Sequence, residues 1–193
     1  MNLEFYDRPV LDVARDLVGC TLRHGDCAGI VVETEAYHHS EPACHAYVGV
    51  TPRTKVLWGP PGIAYVYRSY GIHALLNAVC EREGVGAAVL VRALEPTEGI
   101  EVMRARRGPV PDRELCNGPG KLTQALGIGL ELNRSSLLGD GPVEFGPRPA
   151  PVEVVRSAPR IGLTRAEDLD WRFTVAGSRH VSRPFPAVAT PAA

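Results

Sequence analysis

Three runs of β-branched and apolar residues dominate the first half of the chain, and they favour a fold built on a sheet. The runs are GIVVETEAY at 29–37, IAYVYRSYGIHALLNAV at 63–79 and GVGAAVLVRALEP at 84–96. Residues of these types fit the pleated, half-buried surface of a strand. The letters SYG interrupt the second run and predict the tip of a β-hairpin. We therefore expect strands in all three runs.

Helical patterns and shorter strands accompany these runs. A helical pattern follows Pro9, a second follows Glu95-Pro96 and ends at the arginines before Gly108, and a third runs to Gly127. Short strands are expected in VEVV, RIGL and FTV of the last third of the chain. The stretch between His38 and Pro61 shows no periodicity and predicts a long loop. This mixture predicts an α+β fold.

Length and composition predict one domain. The chain has 193 residues, of which 45% are apolar, and can bury one substantial core. We assign residues 1–183 to this domain and expect the proline- and alanine-rich tail 184–193 to be disordered. The formal net charge of −1 lacks the basic excess that would by itself indicate nucleic-acid binding.

The remaining compositional features concern the cellular environment. The five cysteines are scattered and form no Cys-x-x-Cys pair, which argues against a disulfide framework or a structural zinc site and favours a reducing compartment. No apolar segment approaches the length of a membrane span, and the first residues do not resemble a signal peptide. We expect a cytoplasmic protein that does not bind a membrane.

Two glutamates and an arginine in the strand runs are candidates for chemistry. Strand alternation places Val31, Glu33, Glu35 and Tyr37 on one face, opposite the face of residues 32, 34 and 36. Two carboxylates on one face can enter a common site, although glutamates on an edge strand are often simply solvated. Arg92 interrupts an apolar run and needs an anionic partner, either in a structural salt bridge or in a site.

The loop after the first run contains metal-binding residue types. His38, His39, Cys44 and His45 follow Glu35 closely enough to suggest a zinc or iron site. Two adjacent histidines do not easily bind one ion, and the spacing matches no standard zinc motif. A metal-dependent hydrolase, with His38, His39 and His45 as ligands and Glu35 activating a metal-bound water, remains an alternative at this point.

Tyrosines are concentrated in the hairpin. Tyr65 and Tyr67 are expected on one strand face and Tyr70 at the tip. They could simply pack the hairpin, as aromatic residues often do in sheets. They could also form a platform on which a nucleic-acid base stacks, with one side chain projecting into a duplex.

Taken in order, seven sequence blocks resemble the alkyladenine (methylpurine) DNA glycosylase family. The blocks are IVVETEAY at 30–37, ACHA at 43–46, TPR at 51–53, YVYRSYGIHALLN at 65–77, VLVRALEP at 89–96, ELCNGPGKL at 114–122 and RIGL at 160–163. The resemblance extends over nearly the whole chain. It implies one mixed α/β domain with a curved, mainly antiparallel sheet, surrounding helices and a protruding hairpin that inserts into DNA.

The resemblance also implies three catalytic positions and no metal or other cofactor. Glu35 matches the general base of the family, and Arg92 matches the arginine that helps to hold the attacking water. The main-chain carbonyl of Ile161 would be a further ligand of that water. Glu33 has no role in this assignment.

Five further positions match residues that bind the substrate. Tyr37, His45 and Tyr67 would enclose a base that has rotated out of the helix. Tyr70 would enter the gap that the base leaves, and Asn77 would line the pocket and crowd the exocyclic amine of normal guanine.

The activity implied by the resemblance is base excision repair by a monomer acting on double-stranded DNA. The expected substrates are alkylated or deaminated purines, such as 3-methyladenine, 7-methylguanine, hypoxanthine and ethenoadenine, whose N-glycosidic bond would be hydrolysed to leave an abasic site. Lys55 and Lys121, the only lysines, match no Schiff-base role, so no lyase step is expected. A protein that flips damaged bases without cutting is a third hypothesis.

Overall fold

A curled antiparallel sheet of eight strands forms the centre of the computed structural model, which describes residues 1–152 and 154–184. The strands are β1 (Thr21–His24), β2 (Cys27–His38), β3 (Ala64–Ser69), β4 (His73–Val79), β5 (Ala87–Glu98), β6 (Val143–Gly146), β7 (Val155–Ala158) and β8 (Arg172–Val175). Their main order is β3-β4-β5-β2-β1-β6, and β8 pairs with both β2 and β7. The three predicted strand runs are confirmed as β2, the β3–β4 hairpin and β5.

Helices lie around this sheet. The α-helices are α1 (Leu3–Tyr6), α2 (Val10–Leu17), α3 (Ile100–Arg107), α4 (Asp112–Leu115) and α5 (Pro119–Leu126), and the 3-10 helices are His45–Val48, Lys55–Trp58 and Leu130–Leu132. Two of the 3-10 helices interrupt the predicted long loop. The α+β class is confirmed.

Amphipathic helix α2 covers one face of the sheet. Its Val13, Ala14 and Leu17 are buried, and the carbonyl of Ala14 accepts a hydrogen bond from the hydroxyl of Thr34 on β2 at 2.8 Å. This packing buries the apolar side of both elements, which is the main source of stability for a short helix. The opposite face of β2 is therefore available to Glu33 and Glu35.

A β-bulge changes the alternation predicted for β2. The register between β2 and β5 shifts on both sides of Glu33, where Val31 pairs with Leu94 and Glu33 pairs with Ala93. A bulge puts two consecutive residues on the same side of a strand. Val31 consequently packs in the main core together with Ala36. The prediction that Val31 shares a face with Glu33 and Glu35 is therefore wrong.

Glycines determine where the predicted helices begin and end. Strand β5 continues to Glu98 and α3 begins only at Ile100, because Gly99 turns the chain with a φ of 69°. The helix expected directly after Glu95-Pro96 therefore starts later than predicted. Its end at Gly108 is confirmed, as is the end of α5 at Gly127, where φ values of 83° and 74° suit a residue without a side chain.

The last third of the chain follows the sequence pattern only in part. FTV lies in β8, and the end of VEVV begins β7. RIGL at 160–163 is not a strand but an irregular segment, so that prediction is wrong. The expected tail lies, apart from residue 184, outside the described residues. Within 1–152 and 154–184, no helix is both long and apolar enough to cross a membrane.

Candidate active site

The carboxylate of Glu35 is fully buried and meets three hydrogen-bond donors. Oε1 accepts a hydrogen bond from the main-chain N–H of Ile161 at 2.7 Å. Oε2 accepts hydrogen bonds from the hydroxyl of Tyr37 at 2.8 Å and from Nη1 of Arg92 at 3.0 Å. A carboxylate can accept about four hydrogen bonds. Oε1 therefore keeps a lone pair that could bind a water molecule.

Arg92 lies between the two glutamates because the register of β5 is irregular opposite Glu33. The β2–β5 pairing passes from Ala93 to Val91 without a partner for Arg92. Its Nε lies 3.2 Å from Oε1 of Glu33, and its Nη1 contacts Glu35. Burial opposes the charged guanidinium, but the two carboxylates outweigh this effect, so the pKa of Arg92 is raised. The prediction that Arg92 has an anionic partner is confirmed.

The segment that carries Ile161 is held in place by Arg160. The guanidinium of Arg160 donates two hydrogen bonds to the carboxylate of Glu41, at 2.7 and 2.9 Å, and one to the carbonyl of Ala36 at 2.9 Å. Its Cζ lies 4.6 Å from the centre of the Tyr37 ring. This buried ion pair therefore positions both the Ile161 amide, which contacts Glu35, and the Tyr37 ring.

Beside Tyr37 lies a cavity of about 120 Å³ with mainly aromatic and apolar walls. It is lined by Tyr37, Ala43, Cys44, His45, Leu57, Tyr65, Tyr67, Asn77, Ala88 and Leu163. The rings of Tyr65 and Tyr67 stack with their centres 5.2 Å apart, as expected for residues two apart on β3. His45 meets Tyr67 edge to face at 4.6 Å. Flat aromatic walls of this kind suit a planar ligand.

His45 is a neutral ring with one defined tautomer. Its Nε2 lies 3.3 Å from Nη2 of Arg53, and its Nδ1 lies 3.1 Å from the hydroxyl oxygen of Tyr65. Arginine can only donate, so Nε2 is the acceptor and Nδ1 carries the proton. Burial, together with the nearby charge of Arg53, lowers the pKa of His45 to about 4. The cavity wall therefore carries no histidine charge at neutral pH.

The tyrosine walls also stay uncharged. Burial, together with the adjacent carboxylate of Glu35, raises the pKa of Tyr37 well above its ordinary value. Burial and the neighbouring Tyr65 raise the pKa of Tyr67 to about 12. Neutral phenol rings retain electron-rich faces without adding a negative charge.

Asn77 closes one side of the cavity. The side chain is buried, and its Nδ2 donates hydrogen bonds to the carbonyls of Tyr65 at 3.0 Å and Leu75 at 3.4 Å. These contacts fix the plane of the amide. A ligand in the cavity therefore meets a rigid polar wall at this position.

A wider groove of about 430 Å³ continues from the cavity toward the hairpin. Tyr37, Tyr67 and Leu163 line both spaces, whereas Arg92, Ile161 and Tyr70 line the groove. Its other wall is formed by residues 118–121 at the beginning of α5. Tyr70 is 91% exposed at the hairpin turn, with a φ of 49°. The groove thus connects an exposed tyrosine with the donors that surround Glu35.

The histidines proposed as metal ligands do not converge. The rings of His38 and His39 contact each other at 4.2 Å, and His39 also contacts Trp58, whereas His45 faces Tyr65 and Tyr67. Among residues 1–152 and 154–184, no three His, Cys, Asp or Glu side chains are placed to hold an ion. The structure gives no support to the metal-dependent hydrolase.

Comparison with known proteins identifies the family of this chain. A profile described as "Methylpurine-DNA glycosylase (MPG)" matches residues 4–179. The chain belongs to the methylpurine-DNA glycosylase family. The resemblance inferred from the seven sequence blocks is therefore confirmed, and the fold described above is consistent with this family.

Three relatives are similar to this chain over most of its length. One from Rhodopseudomonas palustris is 54% identical over 182 residues, covering 94% of this chain and 87% of the relative. One from Bradyrhizobium diazoefficiens is 53% identical over 182 residues, covering 94% and 90%. One from Rubrobacter xylanophilus is 53% identical over 169 residues, covering 85% and 87%. Each is named "Putative 3-methyladenine DNA glycosylase".

The structure brings the residues expected from this family together in two groups. Glu35, Arg92 and Ile161 are in direct contact. The contact of Ile161 with Glu35 is through its N–H, whereas the family resemblance implied a role for its carbonyl. The cavity is lined by four of the five expected binding residues, and the fifth, Tyr70, lies on the adjoining groove.

Sequence reasoning missed the residues that support these groups. The ion pair of Arg160 with Glu41 and the contacts of Glu33 with Arg172 and Ser182 were not predicted. The available signal was weak. Arg160 begins RIGL, and Arg172 comes directly before FTV, so each is a charged residue next to an apolar segment. Such an arginine needs an anionic partner when it is buried.

Proposed function

We propose that this chain is a monofunctional DNA glycosylase that hydrolyses the N-glycosidic bond of alkylated or deaminated purines in duplex DNA and leaves an abasic site. The observation that carries the proposal is the contact of buried Glu35 with Arg92, Tyr37 and Ile161 beside an aromatic cavity. Membership in the methylpurine-DNA glycosylase family and the names of the relatives support it.

Recognition of the lesion takes place in the cavity. A base within a duplex is stacked and paired, so the nucleotide has to rotate outward, which costs a few kcal/mol. The rings of Tyr37, His45 and Tyr67 offer stacking surfaces to the rotated purine. Alkylation at a ring nitrogen makes a purine cationic, and a tyrosine face attracts a cation by about 0.5 to 2 kcal/mol. The neutral state of His45 avoids repulsion of such a base.

The hairpin stabilises the opened duplex. Tyr70 projects from its tip into solvent. An aromatic side chain inserted into the emptied base stack replaces part of the lost stacking energy. Because Tyr70 and Arg92 line the same groove, insertion brings the sugar of the rotated nucleotide toward the catalytic residues.

The chemistry is a displacement at the anomeric carbon of deoxyribose. A water bound between Glu35, Arg92 and the carbonyl of Ile161 attacks this carbon. Glu35 accepts the proton from the water, and the bond to the purine nitrogen breaks with its electron pair leaving on the base. Glu35 also stabilises the positive charge that develops on the sugar. The mechanism assigns no lysine as a nucleophile: Lys55 lies outside the cavity and the groove, and Lys121, which lines the groove, donates a hydrogen bond to Asn117 at 2.8 Å.

The test uses a duplex with one hypoxanthine. We expect wild type to release the free base and Glu35→Gln to retain duplex binding but lose at least a hundredfold in single-turnover rate, as expected when a general base is removed. Glu144→Gln, an exposed glutamate on β6, is the matched control and should behave like wild type. Circular dichroism of all three proteins verifies folding.

Two further arms separate the competing hypotheses. Treatment with a chelator should leave base release unchanged, whereas loss of activity would favour a metal-dependent hydrolase. Binding of the hypoxanthine duplex by wild type without release of base would support a protein that recognises damage but does not cut. Strand cleavage by wild type, without alkali, would contradict the absence of a lyase step.

A further inference from the structure

Glu33 accepts four hydrogen bonds, one more than Glu35, although the family resemblance gives it no role. Its Oε1 lies 3.2 Å from Arg92 Nε, 2.6 Å from Arg172 Nε and 2.8 Å from the hydroxyl of Ser182. Its Oε2 accepts a hydrogen bond from the main-chain N–H of Ser182 at 2.6 Å. The side chain is fully buried. Three of these four hydrogen bonds converge on Oε1, which leaves that oxygen no position for a water molecule, and Oε2 is bound to the main chain of Ser182.

These contacts determine the orientation of Arg92. Nε and Nη2 form one edge of a guanidinium, and Nη1 lies on the other side. Nε of Arg92 donates to Glu33, and Nη2 donates to the hydroxyl of Ser182 at 3.3 Å. With that edge held, Nη1 is directed at Oε2 of Glu35. Arg92 therefore cannot rotate away from Glu35 without breaking its bonds to Glu33 and Ser182.

We propose that Glu33 is a positioning residue for base excision. Together with Ser182, it holds one edge of the Arg92 guanidinium. Nη1 of Arg92 then contacts one oxygen of Glu35, and the other oxygen of Glu35 is left for water. The role rests on the proposed function, because it concerns the geometry of the same reaction. It also explains why the segment after β8 returns to β2, since Ser182 donates to Glu33 through both its N–H and its hydroxyl.

The network contains buried groups of both charges. Two carboxylates, Glu33 and Glu35, face two buried arginines, Arg92 on β5 and Arg172 on β8. Tyr37 on β2, Tyr67 on β3 and, behind Tyr37, Arg160 also lie beside them. Without the charge of Glu33, the guanidinium of Arg92 would face one carboxylate, that of Glu35, instead of two. It would stabilise the ionised form of Glu35 more strongly, and stronger acid would be needed to stop the reaction.

The experiment measures single-turnover release of hypoxanthine from a duplex as a function of pH. We expect Glu33→Gln to be about tenfold slower at neutral pH, because Arg92 and Glu35 lose their alignment. We also expect the acid limb of its profile to lie about one pH unit lower than that of wild type. A merely structural role would lower the melting temperature without moving the acid limb.

Two more variants separate charge from position. Glu33→Gln combined with Arg172→Gln removes one charge of each sign, so its acid limb should return toward that of wild type while the rate stays low. Ser182→Ala keeps every charge but removes the hydroxyl that binds Nη2 of Arg92. It should be severalfold slower with an unchanged acid limb, and it keeps the proposal testable if Glu33→Gln does not fold. Glu144→Gln again serves as the control.

The outcomes distinguish this proposal from the proposed function. Wild type that releases no base would refute the proposed function and, with it, the role of Glu33. Wild type that releases base while Glu33→Gln matches its rate and pH profile would refute the positioning role alone. A slower Glu33→Gln with an unmoved acid limb, or a Ser182→Ala variant with the wild-type rate, would also refute it.

Discussion

Glu33 and Glu35 lie two residues apart on β2, yet their neighbours give them different capacities. Four donors meet Glu33 and three of them crowd Oε1, whereas three donors meet Glu35 and a single one is at Oε1. The chemical identity of the residue is the same. The difference arises from which donors reach each carboxylate, and in our proposal this separates a positioning residue from a general base.

His45 provides a prediction about pH and stability. In the unfolded chain it titrates near its ordinary pKa of 6.5, whereas in the folded protein burial and Arg53 lower its pKa to about 4. Between these values the unfolded chain binds a proton that the folded chain does not. The stability contributed by neutral His45 is therefore present above pH 6.5 and is lost as the pH falls toward 4.

Urea denaturation of wild type and His45→Gln at neutral and at acidic pH measures this effect. We expect the free energy of unfolding to fall less on acidification in the variant, because glutamine does not titrate. His38 and His180 also have lowered pKa values, so wild type and variant share that part of the pH dependence. Equal losses of stability in both proteins would contradict the prediction.

At the level of elements, the β3–β4 hairpin combines a rigid base with an exposed tip. Tyr65 and Tyr67 are held in the cavity wall, whereas Tyr70 is 91% exposed in a left-handed backbone conformation with a φ of 49°. Such a conformation is uncommon for a residue other than glycine. An exposed aromatic residue at a strained turn is consistent with a role in contacts to DNA.

We expect Tyr70→Ala to slow excision from duplex DNA about tenfold, because one aromatic ring stacked on a base contributes about 1 to 3 kcal/mol. Excision from a single strand with the same lesion should change little, since no stack has to be refilled there. Tyr70→Phe is the matched control and should retain duplex activity, because it keeps the ring. Equal losses on both substrates after Tyr70→Ala would show that the residue does not act by insertion.

At the scale of the whole molecule, the state of the cysteines indicates that stability does not depend on disulfide bonds. All five cysteines are free and buried. Burial raises the pKa of Cys44 to about 11 and that of Cys116 to about 12. Reaction with alkylating reagents requires the thiolate and access to it; burial restricts access to all five cysteines, and the raised pKa values disfavour the thiolates of Cys44 and Cys116.

Intact-mass measurement after iodoacetamide treatment tests this expectation. The native protein should gain little mass near neutral pH, whereas the denatured protein should be alkylated at all five cysteines. A reducing agent should leave the melting temperature unchanged, because no disulfide is present to be broken. Rapid alkylation of the native protein would show that the core around these residues opens readily.

The sequence by itself determined the local features of this protein. Residue types and their periodicity were sufficient for β2, the β3–β4 hairpin, β5, and the helix ends at Gly108 and Gly127. These features depend on neighbours in the chain, through strand propensity and the freedom of glycine in left-handed conformations. The family and the residues of the candidate site also followed, because seven separate blocks had to match.

Only the tertiary structure decided how these residues meet. The bulge near Glu33 moves Val31 into the core, and the matching irregularity in β5 puts Arg92 between two carboxylates. Ser182 reaches Glu33 across 149 positions of the chain. Contacts of this kind depend on strand register and on buried charges finding partners, which are properties of the assembled sheet and of no single segment.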